Sequence, residues 1–359
     1  MSNIANPAPR RIREPLTAAQ LLMTVTICIF VLIYGTAMVT MGGGFLRFQQ
    51  VLDILNDNAA LIIISVGLSI VMIGGGINIS VGGVISLTCM SCALFLNAGH
   101  SVLETLLLAL GIGLAFGVVM GLLISYLEIQ PFIVTLAGMF LARGLTTILS
   151  VEPVKVAHDG FNAVSQKIVI DALGYMNNKG KWISAKMEPG VLVALAVLIL
   201  AYLMLRYTRF GRGIYALGGN RQSALMLGIN VKRTIFFTYV LSGVLSGLAG
   251  FVFLMHKPAG NASVAVRSEM DAIAASIIGG TLLTGGVGNV IGTFFGVMIL
   301  ASIQKIVALS PLQESYWQDL ATGAMLGLFI MLQSVVLGLR AKTARKSPTV
   351  PAESGQSTK

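Results

Sequence analysis

The polar groups best placed for chemistry in this chain lie in a glycine-rich stretch, Gly74-Gly75-Gly76-Ile77-Asn78-Ile79-Ser80-Val81-Gly82-Gly83, between two apolar runs. Asn78 and Ser80 are neutral donors and acceptors, while Gly75, Gly76 and Gly82 leave backbone amides and carbonyls open. That chemistry is hydrogen bonding to a polar solute, not acid–base or nucleophilic catalysis. Lipid cannot satisfy free backbone polar groups, so non-helical backbone at membrane depth survives only where it is buried in protein or lines a water-filled path. A second break of the same kind, Ile278-Gly279-Gly280-Thr281-Leu282-Leu283-Thr284-Gly285-Gly286-Val287-Gly288-Asn289, adds Thr281, Thr284 and Asn289. Paired interruptions of apolar segments are the sequence signature of a transport path. Gln130 and Thr135, at the start of another apolar run, extend the set.

Charged groups are scarce within the apolar runs. Arg143 lies about twelve residues into one of them, where an arginine is either functional or held by backbone carbonyls at a helix break. Glu104, Glu128 and Asp271 fall at run ends, away from the positions a proton relay needs, and Ser268-x-x-Asp271 reads as a capping box. No G-x-x-x-x-G-K-[ST] loop occurs, and Gly180-Lys181-Trp182 lacks the hydroxyl residue. No nucleotide cofactor is therefore expected on this chain. Cys89-Met90-Ser91-Cys92 has redox or metal spacing but no accompanying histidine or second pair, so it and Cys28 read as small core residues, with no metal.

The elements that hold these groups follow from composition. The 359 residues are 55% hydrophobic and 11% charged, with a mean hydropathy of +0.86; soluble domains are about 25% charged. An all-α polytopic membrane protein is the only class that fits. Its 41 glycines suit close helix packing in lipid. The net charge of +10 is not a nucleic-acid surface: fourteen of the 24 Lys and Arg residues fall at 10–13, 206–233 and 340–359, opposed there only by Glu14 and Glu353. That is the positive-inside pattern, and it places both termini and the 206–233 segment in the cytoplasm.

With about 20 apolar residues per span, ten candidates emerge at 21–41, 58–76, 82–99, 103–125, 131–149, 190–207, 234–255, 271–286, 287–308 and 316–339. The first is too long and lacks the small-residue cleavage site of a signal peptide. The 271–286 run is short enough to be re-entrant. Cytoplasmic tails are expected at 1–20 and 340–359, the latter disordered. The outer loop at 151–190 is read as solvated with a short helix near 161–173, or as a docking surface. Phe45–Asp57 reads as an amphipathic helix at the outer interface, where Tyr316 and Trp317 would anchor the last span.

The cytoplasmic segment 208–233 is the second informative region. Asn220 is a good N-cap, residues 221–227 make two turns, and Gly228 suits a left-handed C-cap. Ala224, Leu225 and Leu227 would then be available for a groove on a soluble partner, or for lipid headgroups. A transporter, a solitary secondary carrier and a membrane receptor all remain open at this point, the paired breaks weighing against the receptor.

Four stretches resemble one family: Gly75 to Gly82, Pro131-Phe132-Ile133-Val134-Thr135-Leu136, Arg209-Phe210-Gly211-Arg212 through Gly218-Gly219-Asn220, and Met270-Asp271-Ala272-Ile273-Ala274-Ala275 through Gly285-Gly286-Val287-Gly288. They look like the monosaccharide permeases of ABC importers, the ribose, galactose and xylose type. Within it, Thr135 to Gly144 and Ile278 to Leu283 look most like one of the two permeases of the galactofuranose importer. The resemblance implies a bacterial inner-membrane complex with a second permease or a second copy, a cytoplasmic ATPase that uses the ATP, and a periplasmic sugar-binding protein. It also implies that Arg212, Gly218, Gly219, Asn220, Ala224, Leu225 and Gly228 belong to the element seated on the ATPase. Asn78 departs from the family, which usually has Asp there.

Overall fold

The structure, a computed structural model, describes residues 18–41, 47–176, 182–309 and 315–345. The predicted tails lie almost wholly outside these residues, except that the last helix continues to Arg345 instead of stopping near 339. In chain order the elements are α1 (Ala18–Met41), α2 (Phe48–Ile73), α3 (Val81–Asn97), α4 (Val102–Ser125), α5 (Pro131–Leu149), β1 (Val154–Lys155), α6 (Asp159–Val164), β2 (Ile168–Met176), β3 (Trp182–Met187), α7 (Pro189–Tyr207), α8 (Arg209–Gly219), α9 (Arg221–Met226), α10 (Val231–His256), β4 (Ala259–Gly260), α11 (Ser268–Ile278), α12 (Val290–Leu309) and α13 (Ser315–Arg345).

Each of the ten predicted spans corresponds to a helix. Among the described residues seven are long and apolar enough to cross a membrane: α1, α2, α4, α5, α7, α10 and α12. The 271–286 run is shorter than predicted, because α11 has only 11 residues and reaches about 16 Å at 1.5 Å per residue, half a bilayer core. α5 starts where the sequence predicts, since Pro131 has no N–H to lose at the first helical turn.

Two expectations fail. The described part of Phe45–Asp57 is not a separate interfacial helix but the opening turns of α2, which runs unbroken for 26 residues. In the 151–190 loop, helix α6 ends at Val164, and residues from Ile168 onward pair with β3 as an antiparallel hairpin; the β-branched run Ile168-Val169-Ile170 fits a strand better than a helix.

α2 is the most enclosed of the spans and carries the main apolar core, where Ile62, Ile63, Leu68 and Ile70 meet α7, α10, α11 and α12. The tightest seam joins α4 to α10. A Cβ on Gly113 would stand 2.3 Å from the Gly243 carbonyl, and one on Gly247 would stand 2.2 Å from the Ala109 carbonyl. Gly113-x-x-x-Gly117 thus faces Gly243-x-x-x-Gly247, the small-residue contact that lets backbones approach in lipid.

Polar contacts mark one end of the bundle. Asn56 Oδ1 accepts from the Glu188 amide (2.9 Å), Glu188 Oε2 lies 2.7 Å from His256 Nδ1, Lys305 Nζ lies 3.4 Å from Asp57, and Asn97 donates to the Lys155 carbonyl (2.8 Å). The hairpin end is thereby tied to α2, α3, α10 and α12. The α8–α9 unit sits at the opposite end.

Candidate functional site

Both glycine breaks converge on the α8–α9 end. α2 stops at Gly74, Gly75 turns left-handed (φ 82°), and the chain stays irregular until α3 begins after Ser80. The second break follows α11 as a tight turn, with the Gly285 amide on the Leu282 carbonyl (3.1 Å) and the Leu282 amide on the Val287 carbonyl (3.0 Å). The Gly286 amide then donates to the Ile73 carbonyl at 2.8 Å, joining one break to the other.

The third partner is α8, a helix the sequence reading missed because it treated 208–233 as a segment with only one helix. Its signal was present: Gly211, Ile214 and Leu217 recur every three residues and are the buried face. At its last turn a Cβ on Gly218 would fall 1.9 Å from the Ile73 carbonyl and 2.4 Å from the Gly286 amide. A Cβ on Gly286 would fall 2.7 Å from Gly219 Cα. Three stretches of bare backbone therefore stack directly, and Tyr215 adds a hydrogen bond from its hydroxyl to the Gly288 carbonyl (2.9 Å).

Beside this junction lies a cavity of about 420 Å³, lined by Gly74, Gly75, Gly76, Gln130, Tyr239 and Thr284 together with the α8–α9 link Gly218 to Arg221. Its size is that of a small-molecule site. The groups offered are backbone amides and carbonyls, the carboxamides of Gln130 and Asn220, and hydroxyls, with one charge of each sign from Arg221 and Glu128; the neutral donors and acceptors suit a polyhydroxyl solute. On its rim Glu128, left-handed at φ 55°, pairs with Lys232 (3.5 Å) and Arg221 (3.8 Å), so α9 and α10 are tied to the α4–α5 turn.

Several predicted pathway groups do not line this cavity. Asn78 is fully buried: Oδ1 accepts from the Ser80 amide (3.1 Å) and hydroxyl (2.7 Å), and Nδ2 donates to Ser242 Oγ on α10 (3.0 Å). Thr135 is buried and spends its hydroxyl on the Pro131 carbonyl (2.9 Å), within its own helix. Thr281 is buried against Ser69 Oγ (3.1 Å), which also takes the Thr293 hydroxyl (3.0 Å). Asn289 caps α12, its Oδ1 accepting from the Ile291 amide (3.0 Å). In this conformation Asn78, Thr281 and Asn289 brace the breaks while Thr135 bonds only within α5, and the exposed polar side chain of the second break is Thr284.

Ser268 and Asp271 do not form a capping box. The N-cap of α11 is Arg267, left-handed at φ 76°, and no side chain caps the helix; the Asp271 amide bonds to the Arg267 carbonyl. Gly82 packs where a Cβ would meet Glu269 Oε2 at 2.0 Å. That carboxylate belongs to Glu269, which sequence reasoning overlooked, and its other oxygen lies 3.5 Å from Arg143 Nη2. Arg143 also donates to the Ala265 carbonyl (3.4 Å), so both readings of this arginine find a contact.

In α9, Asn220 Oδ1 accepts from the Ser223 amide (2.8 Å) and Gly228 is left-handed at φ 76°. Ala224, expected to face outward, is instead buried with Leu217 and Val231: over so short a helix only one face is free. Leu225, Met226 and Leu227 are that face, with Met226 81% exposed. Arg212 is exposed and reaches the Tyr207 carbonyl (3.4 Å).

Comparison with known proteins fits this architecture. The family model described as "Branched-chain amino acid transport system / permease component" matches residues 50–332. The chain is 41% identical over 312 residues to the inner membrane ABC transporter permease protein YjfF of Escherichia coli K12, covering 87% of this chain and 91% of that one. It is 34% identical to the fructose import permease protein FruG of Bifidobacterium longum, covering 89% and 91%. To the ribose import permease protein RbsC of Escherichia coli K12 it is 31% identical, covering 82% and 88%. No solved structure matches. The chain belongs to this family of ABC transporter permease components, as an all-helical, multi-pass and non-catalytic membrane subunit.

Proposed function

We propose that this chain is one of two permeases of an ATP-driven importer that carries a monosaccharide, of the galactofuranose type, across the bacterial inner membrane. The observation that carries the proposal is the glycine junction: Gly218, two residues before Asn220, the N-cap of α9, rests on the backbone of both breaks. A partner that moves α9 moves the backbone beside the cavity directly. Leu225, Met226 and Leu227 seat on a cytoplasmic ATPase, which uses the ATP, while Arg212, Gly218, Gly219, Asn220, Ala224 and Gly228 shape the seat. The largely uncharged lining, the family resemblance and the sugar names of two of its relatives support the substrate class. The positive-inside charge pattern supports cytoplasmic termini, with the hairpin end facing a periplasmic sugar-binding protein.

The departure at Asn78 supports a pair of unlike permeases, each resting its own α9 on the ATPase dimer. Proteoliposomes holding this chain with the ATPase, supplied with the binding protein and galactofuranose, test both parts. ATP-dependent uptake that appears only when a second permease is added supports the heterodimer. Uptake from the three components alone would replace it with a homodimer, and ATP-independent uptake by this chain alone would replace the reading with a secondary carrier.

A further inference from the structure

We propose that Arg143 and Glu269 are an ionic latch that closes the translocation path toward the hairpin end, and that α11 is the rod by which the α8–α9 end releases it. The inference rests on the reading of this chain as a permease driven through α9. Arg143 lies twelve residues after Pro131, about 18 Å along α5 from the cavity rim. Its guanidinium bridges Glu269 Oε1 and the Ala265 carbonyl, at 3.5 and 3.4 Å. Glu269 is only 7% exposed, in the first turn of α11, and its Oε2 has no hydrogen-bond partner among the described residues.

A static brace would satisfy both carboxylate oxygens, because a buried pair holds well only when its remaining lone pairs are bonded. Here one oxygen is left bare against Gly82, and the backbone entering α11 is left-handed at Ala265 (φ 54°) and Arg267 (φ 76°). Non-glycine residues avoid that region, and strain of this kind gathers at switch elements. A second ion pair, Arg267 with Asp319, ties the same helix end to α13. The other end of α11 is held differently: Thr26 donates to the Ile278 carbonyl (2.8 Å), and the chain then enters the break that touches Gly218. One short helix therefore has the drive junction at one end and a strained, half-satisfied ion pair at the other. With the cavity at the α8–α9 end and the pair closed about 18 Å further along α5, on the hairpin side of it, the structure matches one face of an alternating-access cycle.

The test uses the complete complex in proteoliposomes and reads two quantities: ATP hydrolysis without binding protein, and sugar uptake. Arg143→Met, Glu269→Gln and the double variant should each raise hydrolysis without binding protein about five-fold or more, the scale of a lost coupling, and cut uptake per ATP by a similar factor. The double variant leaves no unpaired charge, so a gain in its abundance over the single variants isolates burial cost from gating. Gly82→Ala pushes a methyl against the carboxylate with both charges intact, and should also raise hydrolysis. Should the double variant fail to accumulate, Gly82→Ala decides. Hydrolysis at the wild-type level in the double variant or in Gly82→Ala overturns the latch, as does a change confined to the apparent KM for sugar, which would make Glu269 a sugar contact. A wild-type complex without ATP-dependent uptake defeats the parent reading instead, and the hydrolysis readout still tests the latch.

Discussion

The two glycine breaks look alike as sequence and are held in opposite ways. The first is fixed on itself and on one long helix: Asn78 closes a ring with the Ser80 amide and hydroxyl and reaches Ser242 on α10, and Tyr239, also on α10, donates to the Ile77 carbonyl (3.1 Å). The second leans on others: Thr281 on Ser69, Gly286 on Ile73, Gly288 on Tyr215. A loop held on itself and on one long helix keeps its shape when its other neighbours move, whereas a loop whose bonds are spread over α2 and α8 must follow them. The first break is thus a fixed wall of the cavity, and the second, between short α11 and α12, is the part that α8 can carry along.

The sharpest way to break this contrast is Gly218→Val. Its Cβ would collide with the Ile73 carbonyl and the Gly286 amide, neither of which can rotate away, so a loss of about 3 kcal/mol or more and abolished uptake are expected. Gly219→Val, next in sequence, has nothing within 4 Å and should cost under about 0.5 kcal/mol. Equal melting temperatures for the two in detergent would dissolve the junction.

Next in size is the pair Asn78→Ala and Thr284→Ala. Removing the carboxamide strands buried partners and should destabilise by about 1–3 kcal/mol. Removing the exposed Thr284 hydroxyl should leave stability within about 0.5 kcal/mol and raise the apparent KM for sugar. The reverse pattern would exchange the roles of fixed wall and moving part.

Leu227→Glu alters a residue 76% exposed, so thermal stability should hold while co-purification with the ATPase is lost. Retained co-purification would move the docking surface elsewhere. The smallest effect is expected from Asn78→Asp. Both Ser80 bonds survive, and the Ser242 hydroxyl can turn to donate; a drop of more than about 2 kcal/mol would show that burying the added charge outweighs those bonds.

What the sequence made legible was set by length scale. Apolar runs gave each span helix, and Pro131 and Asn220 marked where helices begin, because span length and caps are local. The glycine breaks were visible for the same reason. Which of their polar groups face the cavity was not: Asn78 is turned inward by Ser242, and no local pattern reports a partner 164 residues away. Glu269 escaped notice because its meaning comes from Arg143 on another helix. Ala224 was misplaced because its buried partners, Leu217 and Val231, lie outside the short helix that carries it. The α8 stripe was readable but was obscured by reading the segment for charge.

The glycine seam between α4 and α10 bears on how the chain is made. α4 is synthesised long before α10, and must wait in the bilayer beside lipid alone. A face built from Gly113 and Gly117 offers hydrocarbon no unsatisfied side-chain polar group, so α4 waits without penalty. α2 is less fortunate: its Ser69 hydroxyl needs Thr281 and Thr293, and Asn78 just beyond it needs Ser242. The arrival of α10 therefore zips a ready seam and quenches the first break in a single insertion event. A ribosome halted before Val231 would leave a nascent chain whose first break is open to quality-control proteolysis.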